Sequence, residues 1–128
     1  MWAPEIHFVK NKYHIYYSAK NQITGWHALG LAISENPLGP YTDYGEPILE
    51  RNSEMGIIDV HWFKDPNTQK SYLLWKENNW PFWPSEIFIR RIEENGITFR
   101  PEWPAKSILK AIFFDEWYCV EAPWMIYR

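Results

Sequence analysis

Three short motifs of this 128-residue chain carry side chains that can do chemistry: Trp2 in "WAPE", Asp59 in "DVHW" and Glu121 in "EAPW". They lie roughly sixty residues apart, the spacing of a structural repeat. If the three motifs face one another, an aromatic platform and two carboxylates form a site suited to a sugar. Cleaving a glycosidic bond needs a carboxylic acid to protonate the leaving oxygen and a carboxylate to activate water or attack. Inverting enzymes hold the two ~6.5–9.5 Å apart, leaving room for the water. Glu121 sits among Val120, Ala122, Pro123 and Trp124. Apolar surroundings raise a carboxyl's pKa by disfavouring its charged form, and a proton donor needs that.

The elements that would position these residues follow from the repeat. "YHIYYSA" starts at Tyr13 and "YLLWKEN" at Tyr72, an offset of 59 residues; "HALGLAISEN" and "SEIFIRRIEEN" end at Asn36 and Asn95 with the same offset. The local signals are β. Residues 5–9 and 13–19 flank the turn "KNK", and "VHWF" and "SYLLWK" flank "KDPNTQK", whose Asp65-Pro66-Asn67 supplies turn chemistry. Third strands are expected over 28–34 and 86–92, and weaker fourth strands after Gly39-Pro40 and after Gly96. No segment has helical periodicity. Four antiparallel strands repeated every sixty residues or so describe a β-propeller blade. The chain therefore reads as blade-like units at 1–56 and 57–112, with the first strand of a third at 113–128. A propeller closes with ~4–8 blades, so two units and a strand read as a piece of a longer propeller. In that architecture the first strand of each blade lines a central channel, where Trp2, Asp59 and Glu121 meet.

Composition narrows the alternatives. Hydrophobic residues make up 46% of the chain and aromatics 19%, with nine Trp, eight Tyr and seven Phe. That permits a substantial core and flat apolar faces for sugar C–H groups. The net charge of −3 comes without a basic stripe, which argues against nucleic acid and against an anionic membrane surface. No apolar stretch approaches ~20 residues. Glu5 and His7 interrupt any signal-peptide core in this chain. One cysteine, Cys119, excludes an internal disulfide. It reads as a packed thiol without a cationic partner. Phosphate loops and a nucleophile elbow are absent.

Other residues carry weaker signals. His61 is two residues after Asp59 and on a regular strand shares its face; it reads as a substrate contact or a hydrogen-bonded structural His. His7, His14 and His27 have no metal-ligand spacing with each other or with Cys119, so no metal is assigned. Trp80, Phe82 and Trp83 in "NNWPFWP" suit a distal sugar platform, a lid or a partner contact. Asp115 and Glu116 read as solvated loop charge.

"WAPEIHFVKNKYHIYYSA", "NPLGPYTDYGEPI", "IIDVHWFKDPNTQKSYLLWK" and "VEAPWMIYR", in this order and over essentially the whole chain, resemble glycoside hydrolase family 43. The resemblance implies a five-bladed propeller, as in β-xylosidases, α-L-arabinofuranosidases and arabinanases. It implies that Glu121 is the general acid, that Asp59 orients the acid and tunes its pKa, and that Trp2 is a wall of the sugar pocket. Val60 departs from the family pattern, which has Pro after the Asp. The family's general base is a first-blade Asp before "WAPE", which no residue of this chain supplies. In many members a fifth-blade His helps hold a central calcium; this chain itself implies no cofactor. The expected reaction of the complete enzyme is inverting hydrolysis of an O-glycosidic bond in a pentose-containing glycan. The chain alone is expected to be inactive, and to need its missing blades or an oligomer. The alternative is a non-catalytic carbohydrate-binding or protein-interaction propeller.

Overall fold

A computed structural model of the chain describes residues 1–51, 56–77, 84–112 and 119–128. Trp80, Phe82, Trp83, Asp115 and Glu116 lie outside the described residues. Among those described there is no helix. Eight strands form two four-stranded antiparallel sheets. The first holds β1 (Trp2–Val9), β2 (Lys12–Lys20), β3 (His27–Ser34) and β4 (Thr42–Asp43) in that order. The second holds β5 (Ile57–Lys64), β6 (Ser71–Glu77), β7 (Glu86–Ile92) and β8 (Lys106–Lys110) in the same order. Both are simple meanders, in which each strand pairs with the next in sequence.

The strands form where β-branched and aromatic residues alternate, and they stop at turn residues. Asp65 shows the mechanism: its carboxylate accepts from Asn67 N–H at 2.9 Å, closing an Asx turn between β5 and β6. The fourth strands are the least legible in sequence. β4 is two residues long. β8 begins only at Lys106, ten residues after Gly96. Arg100 and Trp103 close a second turn there, and the Arg90 side chain donates to both of their carbonyls.

Tyr16, Leu29, Leu31, Ile57, Val60, Leu73, Trp75 and Ile92 form the core between the sheets. Two close approaches fix how the sheets meet. Tyr16 donates to Gly96 O at 2.9 Å, and a Cβ on Gly96 would stand 2.4 Å from that hydroxyl. Gly56, at φ +67, passes so near β3 that a Cβ would stand 2.2 Å from His27 O. Burying so many aromatic and branched side chains is the main driving force for this packing.

Residues 119–128 do not pair as a strand. They run beside β5, tied by side chains: Val120 N–H donates to Ser85 Oγ at 2.7 Å, Ala122 N–H to Asp59 Oδ2 at 3.1 Å, and Asn67 Nδ2 to Tyr127 Oη at 3.0 Å.

Candidate active site

Each innermost segment makes the same departure from regular strand geometry. In β1, Ala3 and Pro4 oppose the single residue Tyr17, between the pairs Trp2–Ser18 and Glu5–Tyr16. In β5, Asp59 and Val60 oppose Trp75, between Ile58–Lys76 and His61–Leu74. These are β-bulges, which bend a strand and re-aim its side chains. Ala3, Asp59 and Ala122 all have positive φ, at 42°, 54° and 52°. For non-glycine residues this conformation is unfavourable, and such strain gathers at functional sites.

Residues 3–5 and 59–61 of the two bulges, with the unpaired residues 122–124, line one cavity of about 180 Å³. That is smaller than the ~300–1,000 Å³ of drug-sized ligand pockets, a size for one small unit. Two wider hollows, of about 580 and 640 Å³, flank β4 at the outer edge of the first sheet. Neither touches the inner segments.

Asp59 lines the cavity and accepts from the Ala122 N–H, which fixes the backbone next to Glu121. His61 lies beside Asp59 in the lining and packs at a tilt against Trp124, with ring centroids 4.5 Å apart. Glu121 turns away from the cavity. Its Oε2 accepts from Lys76 Nζ at 3.0 Å, the lysine side chain being 4% exposed and the glutamate's 62%. Trp2 is half-exposed and stacks on His27 at 4.5 Å. The structure thus brings Asp59 and His61 together and leaves Trp2 and Glu121 outside the cavity wall.

The apolar neighbours of Glu121 do not set its ionisation. The hydrogen bond from Lys76, then its charge, hold the Glu121 carboxyl below the usual range; slight burial opposes this, and Cys119 adds to it. Along an extended segment the flanking side chains point elsewhere, so sequence neighbours say little about what a carboxylate meets. The folded-state pKa is depressed, so the pair stabilises above the unfolded carboxyl's pKa and loses this as pH falls through the folded value. Carboxyl carbon NMR should show Glu121 titrating below an ordinary Glu, and Lys76→Met should move that midpoint upward. An unmoved midpoint would disprove the pairing. Lys76 Nζ also stands 3.5 Å from Cys119 Sγ. The cysteine is exposed and does have a cationic neighbour, a corrected reading that depends on a lysine 43 residues away in sequence.

Sequence reasoning missed Glu5. Its Oε1 lies 2.6 Å from His61 Nδ1, and its Oε2 accepts from Trp62 N–H at 3.0 Å and lies 3.0 Å from His7 Nε2. Burial pushes the Glu5 carboxyl up, but the contacts with His61 and His7 and the Trp62 N–H outweigh it and hold it at about 2. Its signal was Glu5 and His7 at a spacing of two on an otherwise apolar strand, which puts both on one face. Lys76 had a comparable signal, a lone charge ending "YLLWK".

The whole chain, residues 1–128, matches the sequence profile of glycosyl hydrolases family 43. The chain belongs to that family. Over 71 residues it is 35% identical to a probable arabinan endo-1,5-alpha-L-arabinosidase A of Aspergillus fumigatus, and 34% identical to a protein of the same description from Neosartorya fischeri. Each match takes in 53% of this chain and 22% of the relative, so the match spans about a fifth of those proteins. Among solved structures, a thermostable family-43 glycoside hydrolase superposes with TM-score 0.73 at 26% identity, over 87% of this chain and 35% of that one. An endo-arabinase from Bacteroides thetaiotaomicron has the same TM-score at 20% identity, over 86% and 37%; it supports the fold. The two four-stranded sheets are therefore a portion of the family-43 fold.

Proposed function

We propose that this chain is part of a five-bladed propeller that hydrolyses glycosidic bonds between pentose units, with arabinan the first substrate to try. In this reading residues 1–56 and 57–112 are two blades and 113–128 opens a third. The observation that carries it is the meeting of three inner segments at one cavity, each with a positive-φ residue there, and with Asp59 anchoring the backbone beside Glu121. Glu121 is the general acid and Asp59 positions it, while His61 and Trp2 contact the sugar. Substrate entry turns Glu121 away from Lys76 and toward the cavity, where it takes up a proton. The base comes from an Asp on a blade outside these 128 residues, so the chain alone is inactive and hydrolysis needs the missing blades or an oligomer. The arabinanase description of the sequence relatives supports the choice of sugar.

The test is to incubate the complete protein with linear arabinan and follow the first products by proton NMR. Release of sugars with inverted anomeric configuration is expected. Retained configuration, or no release from any arabinan or xylan, rejects the reading. Binding of the same glycans without turnover would favour a carbohydrate-binding propeller.

A further inference from the structure

The Glu5, His7 and His61 cluster shares Glu5 and His61 with the cavity lining and joins the inner strands of the two sheets. Its donor atoms all lie within 4.8 Å of one another. A family calcium is poorly matched to it: calcium takes six to eight oxygen ligands, and the cluster offers one carboxylate and two imidazoles. Two nitrogens and a carboxylate suit a borderline first-row ion such as Zn²⁺. The geometry points to Glu5, His7 and His61 as a three-ligand site for a borderline divalent metal that pins the inner strands of the two sheets together.

Three independent features support it. First, the donors come from rigid elements: Glu5 and His7 lie on one face of β1, and His61 lies on β5. Second, the surroundings are those of a metal ligand. A ligating His hands its other ring nitrogen to a carbonyl or carboxylate. His61 Nε2 stands 3.1 Å from Met125 O, leaving Nδ1 toward Glu5. Glu5 is steadied by the Trp62 N–H. Third, His7 Nε2 is buried and lies 3.0 Å from Glu5 Oε2, yet the two do not align as a hydrogen bond. A metal between those atoms uses both lone pairs. Donors ~2.0–2.2 Å from a tetrahedral ion stand about 3.4 Å from each other, so small side-chain rotations suffice. Three ligands leave a fourth position open.

The inference does not depend on the hydrolase reading, because no readout is activity. The full chain is stripped with chelator, dialysed against buffered Zn²⁺ and analysed for bound metal; Co²⁺ is added in parallel for its visible spectrum. One Zn²⁺ per chain is expected, undisturbed by millimolar Ca²⁺ or Mg²⁺, with a tetrahedral-type Co²⁺ spectrum. Changing a group that merely orients a ligand costs ~10–100-fold in metal affinity. His7→Gln, which removes a ligand at the less buried position, is expected to cost at least that much and to abolish the Co²⁺ spectrum. Cys119→Ser should leave both intact. Far-UV circular dichroism of the metal-free His7→Gln chain checks that it folds, and His61→Gln gives a second ligand variant. No retained Zn²⁺, unchanged affinity in both His variants, displacement by Ca²⁺, or loss of binding in Cys119→Ser would each overturn the site.

Discussion

Glu121→Gln in the complete protein is expected to slow hydrolysis of arabinan by about 10²–10⁴-fold, the usual worth of a general acid. Glutamine has nearly the same shape but cannot deliver a proton to the leaving oxygen. The fold should be little affected, because the Glu121 side chain is 62% exposed, and a glutamine amide oxygen still accepts from the Lys76 ammonium. The loss should depend on the leaving group. A sugar alkoxide needs its proton in the transition state, whereas a nitrophenolate leaves nearly unaided. Nitrophenyl pentosides should therefore lose much less rate than arabinan. Kinetics on both substrates, with circular dichroism as a control, check this. Equal losses on the two, or undiminished arabinan turnover, would remove Glu121 from the acid's role.

Glu5→Ala is expected to lower stability by about 1–3 kcal/mol, the usual cost of leaving a buried hydrogen-bonding group without its partner. At this chain length that is a fall in Tm of roughly 4–12 °C. The size follows from what is left behind. Glu5 accepts from the Trp62 N–H, lies 2.6 Å from His61 Nδ1, and neighbours His7 Nε2. Removing it strands the Trp62 N–H and the buried His61 ring, both on the strand through which the first sheet packs on the second. Thermal unfolding in EDTA isolates this effect from any bound metal. Replacing Glu5 and His61 together by apolar residues should cost less than Glu5→Ala alone, because no unpaired donor then remains on the ring. A loss below about 1 kcal/mol for the single variant would show that the tie between the sheets lies elsewhere.

The strands show which parts of the fold are written locally. Tyr13–Ala19 and Glu86–Ile92 were readable because alternation of branched and aromatic residues is a property of a few consecutive positions. β8 was not, because its position depends on the turn at Arg100–Trp103, which is closed by the Arg90 side chain from the neighbouring strand. The site divides the same way. Trp2, Asp59, His61 and Glu121 stood out by type and repeat spacing. Which of them meet depended on bulges at Ala3 and Asp59, and a bulge is decided by the pairing partner as much as by the bulged residues.

The sequence alone determined the strand composition, the sixty-residue repeat and the family, since these rest on local pattern and on motif order. Only the tertiary structure decided that Glu121 meets Lys76 and that Glu5 gathers His7 and His61. It also decided that Ala3, Asp59 and Ala122 turn to one cavity. The physical reason is distance along the chain. What a carboxylate's charge costs depends on the groups packed against it, and here those groups come from strands tens of residues away.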